Sequence, residues 1–213
     1  MKLYGADRSN FASKCRMVIS EKGLTEIEIV SLSKEYIESK EFQRLNPLRK
    51  IPVLEIEPGR TIFESEVINE YLEERFPHPP LMPTDSEARA RVRIIGRLHD
   101  LYLEPPLREL ARLDSKTRDV RMADVRVSEI NLRLYELEHL LGEPWAAGAM
   151  FTLADCSIAP TILYLTLVLP IFGALSAFNN RPKLTKWWSL IHTRPASKKV
   201  LSEQLAELRV MLA

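Results

Sequence analysis

The pattern of apolar and polar positions changes once along the chain, near residue 76. Before that point, short β-branched or alternating runs, which predict strands, are interleaved with segments whose apolar residues recur at helical spacing. The predicted order is β-α-β-α-β-β-α, over residues 2–4, 10–22, 26–30, 34–45, a strand from about 52, 61–63 and 65–75. Beyond the change, every periodic segment predicts a helix.

Proline marks the boundary between the two patterns. The run Phe-Pro-His-Pro-Pro-Leu-Met-Pro at 76–83 holds four prolines, which stiffen the chain and are incompatible with helix or sheet. We predict a domain at 1–76, a linker at 77–84 and an all-helical domain at 85–213. Helical patterns there cover 85–103, a shorter stretch to 113 after an interruption by Pro105 and Pro106, and then 117–141, 153–168, 183–192 and 196–211.

Thr152-Leu153-Ala154-Asp155 is a capping box, in which the first and fourth side chains satisfy free N–H groups at a helix start. We predict a structural role for Asp155 rather than a catalytic one. The helix behind it is apolar nearly all round, which predicts the buried centre of the second domain, with a kink at Pro160.

Composition indicates an ordinary globular protein. The chain has 213 residues, 46% hydrophobic and 28% charged, and a formal net charge of +1. This balance gives no global field that favours nucleic acid or an anionic membrane. No signal peptide and no apolar run long enough to span a bilayer is apparent. Cys15 and Cys156 lie far apart in helical patterns, which disfavours a disulfide or a metal site. We expect a cytoplasmic enzyme or binding protein.

The segment 50–76 carries the strongest signs of ligand chemistry. A cis bond at Ile51-Pro52, at a strand entrance, would turn the backbone of Ile51 outward to pair with an extended ligand. Glu64 and Ser65 stand at a helix start, where free N–H groups and the helix dipole hold a carboxylate. The alternative is a hairpin edge followed by an ordinary capped helix.

The segment resembles the glutathione-binding half of the glutathione transferase superfamily. The resemblance rests on the order and spacing of Asn46-Pro47, Lys50-Ile51-Pro52-Val53-Leu54, Glu64-Ser65 and Glu70-Tyr71-Leu72, and the box at 152–155 extends it over the whole chain. It implies a thioredoxin-like domain followed by a helical domain, with glutathione as co-substrate. It also implies a homodimer, and an apolar pocket for a small electrophile, for which Tyr102, Leu107 and Phe172 are candidates.

The same resemblance implies roles for individual residues. Ile51, preceding the cis-proline Pro52, pairs with the cysteinyl backbone of glutathione. Glu64 and Ser65 hold its γ-glutamyl end, and Lys50 lies near its glycine carboxylate, although a solvated lysine before a strand is the ordinary alternative.

Conjugation needs the thiolate of glutathione. A thiol of pKa ~8.5 is only about 3% ionised at pH 7, and lowering the pKa to about 6.5 takes roughly 2.7 kcal/mol. A hydroxyl donating to the anion supplies about 1.5–3 kcal/mol and a helix N-terminus ~0.3–1. A serine or tyrosine hydroxyl at the start of the first helix is therefore sufficient, without a metal or a base.

Ser9 stands at that place, and by resemblance it matches the catalytic serine of serine-type transferases. The alternatives are that Ser9 is only a helix cap, or that Ser13, one turn into the helix, takes the role. Asn10 could position the ligand. Disulfide-exchanging relatives need a cysteine at position 9 or 10, and none is present.

Two other functions remain open. The run at 70–83 resembles stringent starvation protein A, a bacterial regulator bound to RNA polymerase that has this fold, lacks the serine and does not behave as a transferase. A zeta-type maleylacetoacetate isomerase is the second, but its Ser-Ser-Cys signature is replaced here by Ser9-Asn10-Phe11.

Overall fold

The computed structural model describes residues 1–113 and 120–212, and within them the chain forms two compact units. The first comprises Met1–Leu81 and the C-terminal residues from Arg194, and the second comprises Met82–Thr193. This grouping differs from the predicted division in two respects: the last helix packs with the first unit, and residues 77–81 of the predicted linker belong to that unit as well. The predicted start of a helix at 117 lies outside the described residues.

The first unit is a sheet covered by helices. In chain order its elements are β1 (Lys2–Gly5), α1 (Asn10–Glu21), β2 (Glu28–Ser31), α2 (Lys34–Ile37), α3 (Lys40–Leu45), β3 (Val53–Glu57), β4 (Arg60–Phe63), α4 (Ser65–Arg75) and the last helix of the chain, α10 (Pro195–Leu212). Strands lie in the order β2-β1-β3-β4, with β1 parallel to β2 and antiparallel to β3, and β3 antiparallel to β4. This topology confirms the thioredoxin-like arrangement.

One predicted helix of the first unit is two short ones. The segment 34–45 divides at Ser39, whose backbone is extended and whose hydroxyl accepts a hydrogen bond from the Phe42 N–H at 3.1 Å. The side chain thus begins a new helix in the middle of the predicted one, because a serine in that conformation satisfies a free N–H group better than continued helix would.

The second unit is helical throughout its regular structure. Its elements are α5 (Ser86–Leu98), a π-helical turn (His99–Leu103), α6 (Glu104–Arg112), α7 (Val120–Leu140), α8 (Leu153–Ile171) and α9 (Pro182–Ile191). The predicted interruption at Pro105 and Pro106 is wrong in position. Both prolines lie in the first turn of α6, where a missing N–H costs nothing, and the wider π-helical turn comes before them.

Helix α8 is the buried centre of the second unit, as predicted. Its residues from Leu153 to Leu165 are all buried, and the helix continues through Pro160 and Pro170. The prediction that no apolar segment is long enough to span a bilayer is wrong, since α8 has 19 residues and a mean hydropathy of 1.6. Its most apolar stretch is 78% buried inside the protein, which is the environment of a core helix.

The Asp155 carboxylate is a buried hydrogen-bonding centre of that core. Its Oδ1 accepts hydrogen bonds from the Ala146 N–H at 2.8 Å and the Trp187 indole N–H at 2.7 Å, and its Oδ2 accepts from the Thr152 N–H at 2.8 Å. The Thr152 hydroxyl also donates to Oδ2, at 3.2 Å. The carboxylate therefore joins the start of α8 to the preceding loop and to α9, which is the structural role predicted from the capping box.

Replacing Asp155 with alanine should lower the free energy of unfolding by about 3 kcal/mol or more, because several buried donors would each lose their acceptor at ~1–3 kcal/mol. Asp85→Ala is the matched control. Asp85 caps α5 through the Ala88 N–H at an exposed site, so its loss should cost only about 0.5–2 kcal/mol. Chemical denaturation of both variants checks this, and equal losses would contradict the role given to the Asp155 network.

The stability of the protein should also depend on pH through Asp155. Burial raises the pKa of this carboxyl from 3.8 to about 6, with the hydrogen bonds opposing the rise. Because the folded state then holds its proton more tightly than the unfolded state, the free energy of unfolding should fall as pH rises from about 4 to about 6. Asp155→Asn should lack this component, so the stability difference between wild type and variant should shrink across that window. A constant difference, measured by denaturation at each pH, would refute the raised pKa.

Candidate functional site

Three segments that sequence analysis selected separately meet at one end of the sheet. Tyr4 of β1 is paired with Val53 of β3, and Val53 is paired with Phe63 of β4. The loop after β1, the residues before β3 and the residues after β4 therefore leave the sheet side by side, at strand spacings of about 5 Å. This end of the sheet holds Ser9, the segment from Lys50 to Pro52, and Glu64 with Ser65.

Ser9 is the N-cap residue of α1 and is half-buried. Its backbone is extended, and its hydroxyl oxygen accepts a hydrogen bond from the Ala12 N–H at 3.3 Å. Within the described part of the chain, the hydroxyl donates to no other group. A serine in this arrangement can cap the helix and still donate its proton to a ligand, so the two roles considered for Ser9 are compatible.

The fallback residue is engaged elsewhere. Ser13 is fully buried, and its hydroxyl donates to the carbonyl oxygen of Asp7 at 2.9 Å. Asn10, the other residue considered for contact with the ligand, is also buried, and its Oδ1 accepts a hydrogen bond from Gln204 Nε2 of α10 at 2.9 Å. Both side chains organise the interior around Ser9.

The Ile51–Pro52 peptide bond is cis, in the geometry expected from the sequence. The loop before it is held by Asn46, which is buried and donates from Nδ2 to the Lys50 carbonyl oxygen at 2.7 Å. Ile51 is half-buried, and the side chain of Lys50 is exposed. Asn46 of the Asn-Pro motif thus holds the loop that leads to the cis-proline.

Glu64 and Ser65 connect β4 to α4 in an unusual conformation. Glu64 has a φ of 70°, which is rare for a residue with a side chain and costs of the order of 1–3 kcal/mol. Its side chain is exposed. Ser65, the first residue of α4, is only 5% exposed, and its hydroxyl has no hydrogen-bond partner among the described residues. Strain of this kind is characteristic of functional sites.

Helix α1 is tied to the start of α4 by contacts that sequence analysis did not find. Lys14 Nζ lies 2.6 Å from Glu66 Oε1, with the lysine side chain fully buried. The Cys15 thiol donates to the Ser65 carbonyl oxygen at 3.5 Å. These contacts fix the N-terminus of α4 against α1, the helix that Ser9 caps.

A second lysine, directly after α1, forms an ion pair with α4 and hydrogen bonds to the proline-rich segment. Lys22 is buried, and its Nζ lies 2.5 Å from Glu73 Oε2 of α4. The same ammonium group donates to the carbonyl oxygens of Phe76 and Pro79, at 2.8 Å each. Lys14 in α1 and Lys22 directly after it thus pair with Glu66 and Glu73 of α4. Each pair of like charges is about two helical turns apart, a spacing that could have indicated the pairing.

The candidates for the electrophile pocket divide by burial. Leu107 is fully buried in the core of the second unit, so its expected place in a pocket wall is wrong. Tyr102 is 51% exposed and Phe172 is half-buried. Among residues 1–113 and 120–212, no group of three histidine, cysteine or acidic side chains is arranged to hold a metal ion.

Comparison with known families gives two matches along the chain. Residues 3–80 match the glutathione S-transferase N-terminal domain, and residues 98–195 match the glutathione S-transferase C-terminal domain. A stringent starvation protein A homolog of Coxiella burnetii is 31% identical over 210 residues, covering 98% of this chain and 95% of that protein. The maleylacetoacetate isomerase of Rattus norvegicus is 34% identical over 166 residues, covering 75% and 76%.

Solved structures agree with the sequence relatives. A glutathione S-transferase from Methylobacterium radiotolerans, in complex with glutathione sulfonate, has a TM-score of 0.79 and 28% identity, covering 94% of this chain and 93% of that one. A bacterial zeta-class maleyl pyruvate isomerase has a TM-score of 0.78 and 25% identity, covering 94% and 96%. Sequence, fold and site geometry lead to the same conclusion: the chain belongs to the glutathione S-transferase superfamily.

Proposed function

We propose that this protein is a glutathione transferase that conjugates the thiolate of glutathione to a small apolar electrophile. Ser9 donates its hydroxyl to the thiolate. Ile51 pairs with the cysteinyl backbone, Glu64 and Ser65 hold the γ-glutamyl end, and Lys50 lies near the glycine carboxylate. The observation that carries the proposal is the register Tyr4–Val53–Phe63, which brings these segments to one end of the sheet.

The physical chemistry of Ser9 supports this role. A hydroxyl that accepts a hydrogen bond from the Ala12 N–H still has its own proton to donate to a ligand. The twelve-residue helix α1 also begins at this point, and its dipole favours a negative charge there. Together these groups supply about 2–4 kcal/mol, enough to lower a thiol pKa by roughly two units.

The relatives support glutathione as the co-substrate. The M. radiotolerans transferase was solved with glutathione sulfonate, whose sulfonate group stands in for the charged sulfur, and a Pseudomonas fluorescens family member was solved with two glutathione molecules. We further propose that the protein is a cytoplasmic homodimer. Val67 on α4, and Ile94 and Leu101 in the second unit, are each about half exposed and suit burial against a second copy.

A second candidate is a regulator that binds RNA polymerase, like stringent starvation protein A. It is supported by the Coxiella relative, which this chain matches over nearly its whole length. Residues 77–80 are also exposed while Lys22 and Glu73 hold them in place, as a docking segment requires. The isomerase relatives support a glutathione-dependent isomerisation, which would use the same thiolate at Ser9.

Ser65→Ala should weaken glutathione binding by about 1.5–3 kcal/mol, the scale of a hydrogen bond to a charged group, or roughly 10- to 150-fold in Kd. Calorimetry measures this loss. Cysteinylglycine is the matched control ligand because it lacks the γ-glutamyl residue, and its weaker binding should be the same for wild type and variant. If the wild type bound no glutathione, the transferase would be excluded and the regulator favoured.

Ser9→Ala should raise the pKa of the bound thiol by ~1–2 units, cutting the thiolate fraction at neutral pH several-fold or more. The ultraviolet absorbance of bound thiolate against pH measures the pKa, and turnover with a generic electrophile should fall in parallel. Glutathione affinity should change less, because the contacts at Ile51 and Ser65 remain.

The matched control for this prediction is Ser39→Ala. Ser39 also caps a helix of the first unit through its hydroxyl, so its loss tests capping alone. Thiol titrations that coincide for wild type and Ser9→Ala would reduce Ser9 to a helix cap. A shift in Ser39→Ala as large as in Ser9→Ala would attribute the effect to helix stability.

A further inference from the structure

The loop that presents Ser9 is held by a small set of polar contacts. The Ser9 N–H donates to the Ala6 carbonyl oxygen at 2.9 Å, and the Asp7 carbonyl oxygen accepts from the Ser13 hydroxyl at 2.9 Å. The Asp7 carboxylate lies 3.0 Å from the Arg16 guanidinium. Two residues of α1 therefore hold Asp7, which lies two residues before Ser9: Ser13 binds its backbone and Arg16 binds its side chain.

Helix α10 contacts the same region through Glu203 and Gln204. The Arg16 guanidinium that binds Asp7 also binds Glu203 of α10. One residue further along α10, Gln204 Nε2 donates to Asn10 Oδ1 at 2.9 Å, and both side chains are buried. Asn10 directly follows Ser9, so α10 contacts the residue after the candidate catalytic serine directly, and Asp7 before it only through Arg16.

We infer that Gln204, acting through Asn10, is a positioning residue that sets the direction in which Ser9 presents its hydroxyl. This inference rests on the proposed thiolate role of Ser9. It assigns to α10 a part in the chemistry that is exerted through the residue after Ser9.

The physical reason is the directional nature of the hydrogen bond. The strength of an O–H donor falls steeply when the angle at its proton leaves the linear range, and small displacements near a reacting centre have large effects on rate. The Ser9 cap itself is long, at 3.3 Å, so it constrains the side chain weakly. The buried amide pair of Asn10 and Gln204 constrains the adjacent backbone, and supporting contacts of this kind determine whether a catalytic group is held in its productive geometry.

The other polar contacts between α1 and α10 offer a matched control. Ser197 of α10 is buried, and its hydroxyl donates to Glu21 Oε1 at 2.7 Å. Glu21 is the last residue of α1, at the opposite end of the helix from Ser9. Ser197→Ala therefore weakens the same helix pair without touching the residues next to Ser9.

The experiment compares Gln204→Leu with Ser197→Ala and wild type in the full chain, with glutathione as the probe. Gln204→Leu should raise the pKa of the bound thiol by roughly half a unit, which from a wild-type value of about 6.5 lowers the thiolate fraction by about one third at pH 7 and about threefold at pH ~5.5. It should also lower kcat with little change in the KM for glutathione. Ser197→Ala should leave the thiol pKa unchanged. Both variants should unfold at a lower denaturant concentration than wild type, because each loses a buried hydrogen bond.

Each outcome is decisive. An unchanged thiol pKa in a folded Gln204→Leu, or an equal shift in Ser197→Ala, overturns the inference while the role of Ser9 stands. A wild-type thiol with its free pKa overturns the proposed function itself. If Gln204→Leu fails to fold, Asn10→Ala replaces it. Asn10→Ala should give the same pKa shift, and its absence there counts against the inference equally.

Discussion

The first unit depends on the burial of a polar helix. Nine of the twelve residues of α1 are buried, among them Asn10, Ser13, Lys14 and Arg16. A buried polar group without a partner costs several kcal/mol, so each of these side chains must find one. Their partners come from the preceding loop, from α4 and from α10, and the positions of these elements around α1 are set by that requirement.

The need of buried polar groups for partners also links the stability of the first unit to the geometry of its candidate site. Breaking a buried ion pair by removing one partner costs about 3–5 kcal/mol, since the other charge remains buried. Lys14 and Lys22 each pair with an acidic residue of α4, and these pairs hold the helix that starts at Ser65. The strained backbone of Glu64 is tolerated between a strand and a helix that are both fixed. The end of the sheet that holds Ser9, Pro52 and Ser65 is thus held in place by the partners that the buried polar groups of α1 find.

The sequence predicted local features better than their assembly. The strands, the capping box at Asp155 and the cis bond before Pro52 each have a signature within a few residues, and each was located. The division of residues 34–45 at Ser39 was missed because a serine inside an amphipathic segment has the same pattern whether or not it caps. The contacts of α10 with Asn10 could not be predicted, because residues about 190 positions apart share no local signal. For the same reason Leu107 was assigned to a pocket wall although it lies in the core.

The place of α10 beside α1 has a consequence for how the protein is made. A ribosome completes residues 82–193 before it begins the helix that covers α1, so the second unit has all of its segments available first. The first unit can be completed only when the residues from Arg194 onward emerge and contact residues nearly two hundred positions before them. Closing contacts so distant is slow. Until then the polar groups of α1 that α10 later covers remain in water, so a nascent chain that stalls before residue 194 would carry an incomplete first unit.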